Sequence, residues 1–211
     1  MNTRRQLLTL FYAITTFSLS AQDASDIPYD SLRTVLEEVY DQDQGIREEL
    51  MKYMQQGDSI VPSLIARMNS IDSVNQILVN QIISDYGWLP QSKIGSKAAG
   101  AVFLVVQHSD LETMREYLPL LKEAAEAGEA KTTSAALMED RILMYEGKKQ
   151  IYGTQASSRQ GEGGSNEYFI WPIENPAEVY QRRAEAGFDT TVEENAEQLN
   201  AVYNPNEELP Q

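Results

Sequence analysis

The sequence predicts a mainly α protein: a compact multi-helix domain closed by a small C-terminal β-hairpin. Three observations lead there. Between Leu32 and Tyr145 apolar residues recur at three- and four-residue spacing, the period of helices that bury one face. Gly87, Pro90, Gly128 and Gly147 punctuate that pattern where helices should stop. Beyond Gly147 the period is lost, and "KQIYGTQ" and "EYFIWPI" bring short segments rich in β-formers.

The first residues fall outside this fold. "MNTRR" is a basic start, Leu7 to Leu19 is mostly apolar, and "SLSAQ" offers small residues for cleavage, the arrangement of a secretory signal peptide. The apolar run is shorter than the roughly 20 residues that span a bilayer. Residues 1–21 are therefore expected to be removed after Ala21, leaving a chain that starts at Gln22 in the periplasm or outside the cell.

A single helical domain is expected over residues 22–188. Leu32, Val35, Leu36, Val39 and Tyr40 give a helix from Asp30, and "DQDQG" is expected to break it before a second helix that ends near Gln56. A longer helix follows from Ser59 to Tyr86, with Pro62 in its first turn, where no intrahelical donor is lost. "YGWLP" stops it. Ala98 to Val106 is apolar on every side, so it is buried whether helix or strand. Its valines favour a strand, but Gly95, Ser96, Ala98, Ala99, Gly100 and Ala101 favour closely packed helices, and a helix is predicted. Ser109 and Glu112 have the spacing of a capping box, which starts the next helix directly after His108 and carries it to Ala127. Another covers Thr133 to Glu146.

The hairpin is placed at about 149–173, with "ASSRQGEGGSN" as a long mobile loop between its strands. Asn175, Pro176 and Glu178 supply a cap, a first-turn proline and an acid for a helix that closes at Gly187. Residues 189–211 form an acidic tail with few apolar anchors and a loose end.

Composition narrows the function. The 211 residues include 17 Lys plus Arg, 32 Asp plus Glu, one His and no Cys, for a net charge of −15. Loss of Arg4 and Arg5 with the signal takes this to −17, since no acid precedes Asp23. Such a surface repels phosphate backbones and anionic bilayers, so neither nucleic acid nor, after signal cleavage, a membrane is an expected partner. Thiol chemistry and disulfides are excluded, and one histidine cannot form a histidine-cluster metal site. No P-loop, dinucleotide, zinc-protease or serine-hydrolase fingerprint appears, and neither metal nor cofactor is predicted.

The chemistry that remains lies around "DRILMYEGKKQIYGTQ". At 100° per residue, Leu137, Met138, Ile142, Met144 and Tyr145 share a broad apolar face. Arg141 falls near its centre and Asp140 at its edge. A guanidinium there is either a structural or snorkelling residue or an anchor for an acidic or carbonyl-bearing ligand. His108 ends the most apolar segment, where it is either a hydrogen-bonded structural residue or an acid–base group.

Together with Gln107, these polar groups are expected to converge where helix, helix end and hairpin meet. Three functions fit. One is a module binding a small ligand or peptide, with Arg141 on a carboxylate, Gln107, Gln150 and Gln155 giving amide contacts, and Trp88 or Tyr152 an apolar wall. Another is a metal-independent hydrolase or transferase with His108 as general base, Asp140 orienting it and Arg141 steadying negative charge. The third is a structural or interaction protein whose network only fixes packing.

"YGWL" followed by "IG", then "FLVVQHSD", "YLPLL", "ALMEDRILMYEGKKQIYGTQ" and "RRAEAGF" together resemble a family of uncharacterised bacterial proteins. Its domain carries a domain-of-unknown-function label and is often preceded by a secretory signal. The resemblance runs from Asp41 to Phe188 and implies an exported bacterial protein, with no activity to carry over. It implies that His108, Asp140, Arg141, Gln150, Tyr152 and Gln155 are characteristic positions. Ser109 stands where alanine is common.

The signal-peptide reading is checked by intact-mass analysis of the chain recovered from its host. A mature chain starting near Gln22 is expected, and full-length protein in the cytoplasm would refute it.

Overall fold

The computed structural model describes residues 27–55, 62–161, 164 and 166–210. The expected signal peptide, and the expected start of the second long helix at Ser59, lie outside them. Seven α-helices and one antiparallel hairpin make up the regular structure of the described residues: α1 Tyr29–Gln55, α2 Pro62–Tyr86, α3 Gln91–Gln107, α4 Leu111–Glu126, α5 Thr132–Tyr145, β1 Ala156–Gln160, β2 Asn166–Ile170, α6 Val179–Glu185 and α7 Val192–Gln198. The mainly helical class with a C-terminal hairpin is the class the sequence predicts.

The main core is built around α3, whose segment 98–106 is a helix. Its small residues let α1 approach closely: a Cβ on Gly100 would meet the Tyr40 ring at 3.3 Å. Ala98, Ala101, Val102, Val105 and Val106 are buried against Leu36, Val39, Val79 and Ile83 of α1 and α2 on one side and Met114, Leu121 and Met138 of α4 and α5 on the other. Gly95 leaves helical geometry at φ 83°, and Arg33 of α1 donates to the carbonyls of Lys93 and Ile94 at 2.6 and 3.1 Å. A helix end that would leave carbonyls unpaired is satisfied in this way by its neighbour.

Several local expectations are corrected. "DQDQG" does not break α1, which runs unbroken for 27 residues. A mid-helix Gly costs only about 1 kcal/mol against Ala, and burial on both sides of Gly45 outweighs it: Asp43 and Ile46 are 1% and 2% exposed. The cap of α4 is Asp110, whose side chain accepts from Thr113 N, rather than Ser109. Ser109 instead donates back to Val105 O at 2.9 Å and helps to end α3. Asn175 starts the next turn in left-handed geometry, φ 43°, without a side-chain cap, and a 3₁₀ turn over Pro176–Glu178 precedes α6.

The hairpin is also shifted. "ASSRQ", expected in the mobile loop, is strand β1, paired in register from Ala156↔Ile170 to Gln160↔Asn166. "KQIYGTQ" contributes a single bridge, Gln150↔Ile173, and is otherwise a tight loop. The loose-tail expectation fails for much of the segment after Asp189. Thr191 and Glu194 form a full capping box for α7, and Val192 and Ala196 are buried with Ile170, Ile173 and Val179 in a second core. Val202 then exchanges backbone bonds with the outer edge of β2, donating to Tyr168 O and accepting from Ile170 N. The acids of this segment are spread around buried Val192 and Ala196 and partly buried Ala201 and Tyr203, so low apolar content did not mean an absence of packing.

Candidate functional site

Asp140 and Arg141 are neighbours on α5, yet they serve different surroundings. Asp140 is fully buried and Arg141 only partly so, the reverse of the expected centre-and-edge placement. The helical wheel assumed that the buried face is the apolar one. Instead, the loop that follows α5 folds over Asp140, while Tyr145, expected on the buried face, is 53% exposed.

The Asp140 carboxylate organises this loop. It accepts from the backbone amides of Ile151 at 2.7 Å, Tyr152 at 3.1 and 3.2 Å and Thr154 at 3.0 Å, and from the Thr154 hydroxyl at 2.9 Å. Burial raises its carboxyl above the usual carboxylate range, against these donors, which favour the charged form. Gly153 makes the turn at φ 71°, and a Cβ there would sit 2.7 Å from Ile173 Cδ1. The loop's outward carbonyls are met in turn: Ile151 O by Arg182 Nε at 3.0 Å, Tyr152 O by Arg183 at 2.9 Å and Gly153 O by Asn195 at 3.0 Å. Arg183 is itself 2% exposed and also donates to Thr190. Gln150, 0% exposed, locks the loop to the hairpin by donating to Gln155 O and Trp171 O and accepting from Gln155 N.

Gln150 is therefore sealed away from any ligand, and so is Asp140. Tyr152 is turned to the far side, tilted against Phe188 with ring centres 6.2 Å apart. These three expected site residues are not brought to His108. Asp140 and Gln150 spend their polar groups in closing one loop, which Tyr152 joins through its backbone N–H and C=O.

Arg141 points the other way, into a groove of about 460 Å³ between α3, α5, the start of β1 and α7. Its Nε donates to Gln155 Oε1 at 3.0 Å and Nη1 to Gln107 O at 3.1 Å. Among the described residues no carboxylate pairs with it. Burial disfavours its charge, Tyr145 partly restores it, and the Arg47 guanidinium opposes it again. His108, Gln107, Gln155, Phe103 and Leu137 line the same groove. Gln107 is 4% exposed and its Oε1 has no hydrogen-bond donor among the described residues. Trp88 lies not here but in an adjoining pocket of about 580 Å³.

His108 caps α3 and faces Asp43, not Asp140: its Nδ1 lies 3.5 Å from Asp43 Oδ1. Asp43 also takes Arg47 at 2.8 Å and Gln44 at 2.7 Å. Burial raises the Asp43 carboxyl, but His108, Arg47 and Gln44 together hold it below the ordinary carboxylate range. Arg47 continues to Asp72 of α2 at 3.0 Å. Asp43 was missed because "DQDQG" was read as a helix break. The signal was present: Leu36, Val39, Asp43 and Ile46 share a 3-4-3 spacing, so an acid stands at a core position.

The fold and site define a helical protein with one carboxylate sealed under a loop and one arginine left open to a groove. The chain belongs to a family of unknown function, DUF6624, whose model matches residues 30–206. That span includes α7 and the Val202 bridge as well as the helices. No curated protein and no solved structure matches it.

Substitutions separate the two neighbours. Asp140→Asn keeps the shape but turns an amino group toward amide donors and discards a charged acceptor, and should cost about 2–4 kcal/mol. Arg141→Met leaves no carboxylate behind but removes the donor from Gln155 Oε1 and Gln107 O, and should cost about 1–2 kcal/mol, less than Asp140→Asn. Urea unfolding of both variants checks this; equal losses would contradict the division of roles.

Proposed function

We propose that the groove beside α3 and α5 binds a small ligand carrying a carboxylate or similar anion, anchored by Arg141. The observation that carries this reading is the guanidinium itself. It is held at two of its nitrogens by Gln155 and Gln107, and among the described residues it meets no acid and Nη2 has no acceptor. A partly buried arginine positioned by neutral partners is prepared to take an anion through charge-assisted hydrogen bonds. Gln107 and Gln155 stand beside it; Gln150 is sealed in the loop, and Tyr152, the alternative apolar wall, lies on the far side against Phe188. The net charge of −15 makes a cationic groove the exception on this chain and supports a small anion over nucleic acid as its partner.

A second reading is favoured by the pairing of His108 with Asp43. In a metal-independent hydrolase or transferase, His108 would move the proton at the groove, Asp43 would orient the ring in place of Asp140, and Arg141 would steady developing charge. Export to the periplasm or beyond is part of the proposal on the strength of the basic start, apolar run and small residues of 1–21, and the mass measurement above tests it. No helix among the described residues is long and apolar enough to cross a membrane.

For the binding reading, carboxylates such as amino acids, short peptides and sugar acids are screened by thermal shift. At least one should raise the parent's melting temperature, and Arg141→Met should lose that rise while still unfolding cooperatively in urea. For the enzymatic reading, His108→Gln should keep the parent's urea midpoint and lose turnover of any ester or amide that a hydrolase panel reveals. A variant that retains full turnover would remove His108 from the chemistry.

A further inference from the structure

We infer that the Arg141 groove and the pocket beside Trp88 form one trough, and that it takes a linear amphipathic carboxylate: an acyl chain along α3 with its head on Arg141. This rests on the Arg141 reading and adds the ligand class. Phe103, Leu104 and Leu137 line both cavities and form the floor between them. The trough follows α3 from Ser96 to Gln107, about 16 Å at the 1.5 Å rise of a helix. Its far end is walled by Tyr40, Trp88 and Leu121.

The two ends differ in chemistry. Around Trp88 the larger side chains are aromatic and aliphatic, Tyr40, Phe103, Leu104 and Leu121, with small Ala99 and Gly100 giving depth and Gln91, Ser96, Thr133 and Ser134 standing among them. At the other end stand Arg141 and His108. An apolar body with one anionic terminus matches that gradient. Lys131 and Lys97 rim the apolar end, Lys97 being tied to Asp41 at 2.7 Å, so the charge along the trough opposes a cationic ligand.

A hydrocarbon chain suits the walls better than a peptide. The trough is faced by α3 and α5, whose backbone groups are spent inside the helices. A peptide crossing the stretch of Phe103, Leu104 and Leu137 that the two cavities share would bury amides without partners there, whereas methylenes need none. Burial of each methylene contributes favourably, so affinity should climb with chain length.

The test is calorimetric titration of the full mature chain with butyrate, octanoate and decanoate, and with dodecyltrimethylammonium below micelle formation. Emission of Trp88, identified by its loss in Trp88→Phe, is followed in parallel. Decanoate should bind at least tenfold tighter than butyrate and change Trp88 emission. Arg141→Met should weaken every carboxylate about tenfold. Ala99→Phe, which lines only the Trp88 pocket, should reduce decanoate to the affinity of butyrate and leave butyrate unchanged. Should Ala99→Phe fail to fold, Trp88→Ala at the far end must lower decanoate affinity selectively.

If butyrate and decanoate bind equally and both need Arg141, the trough is overturned and the anion groove stands. If no carboxylate binds, both readings fall. Equal binding of the cationic amphiphile, decanoate binding independent of Arg141, or tighter binding of an apolar C-terminal peptide would each overturn the assignment of an acyl carboxylate.

Discussion

The buried Asp140 carboxylate gathers the amides of Ile151, Tyr152 and Thr154, and nearly everything in the C-terminal third is arranged around the loop that results. A charge removed from water is tolerated only when donors replace its hydration. Here they come from the backbone immediately after the helix that carries the acid. Closing the loop fixes where Gln150 meets the hairpin and where the carbonyls of 151–153 turn outward. Those carbonyls then recruit Arg182, Arg183 and Asn195, which draws α6 and α7 onto the loop. The second core around Ile170, Ile173 and Val192 fills in behind them.

That arrangement explains how adjacent residues diverge. Once Asp140 is saturated by amides it has no capacity left for Arg141, which turns to neutral partners and the groove. His108, reaching the same groove from the end of α3, finds its acid on α1 instead. The site is therefore assembled from three separate decisions: a loop that seals one carboxylate, a helix end that exposes an imidazole, and a continuous α1 that brings Asp43 beneath it. The C-terminal segment completes the groove, since Asn195 and Leu199 form part of its wall.

Charge supplies the contrast on which the functional reading depends. Most basic residues in this acidic chain are occupied: Arg47 with Asp43 and Asp72, Arg67 with Glu49, Lys97 with Asp41, Arg159 with Glu167 and Glu207. Arg115 is likewise paired with Glu146. Arg141 and Arg183 have neutral oxygens rather than carboxylates for partners among the described residues, and of the two it is Arg141 that lies in a recess lined with Phe103, Leu104 and Leu137.

Sequence alone determined what depends on local periodicity and composition. The long α2, the buried helix over 98–106, the stop signals at Gly87, Gly128 and Gly147 and the helical class could all be read from spacing and residue type. Tertiary structure decided what depends on which neighbour arrives. A glycine inside "DQDQG" reads as a break until packing around Asp43 and Ile46 offsets its cost. "ASSRQ" reads as a loop because its polar side chains carry no strand period, yet pairing with "NEYFI" satisfies its backbone. The wheel put Arg141 inside and Asp140 at the edge because it weighs side-chain hydropathy. The fold chose the reverse because three amides from a later loop can solvate a carboxylate but can offer nothing to a guanidinium, which has only donors of its own.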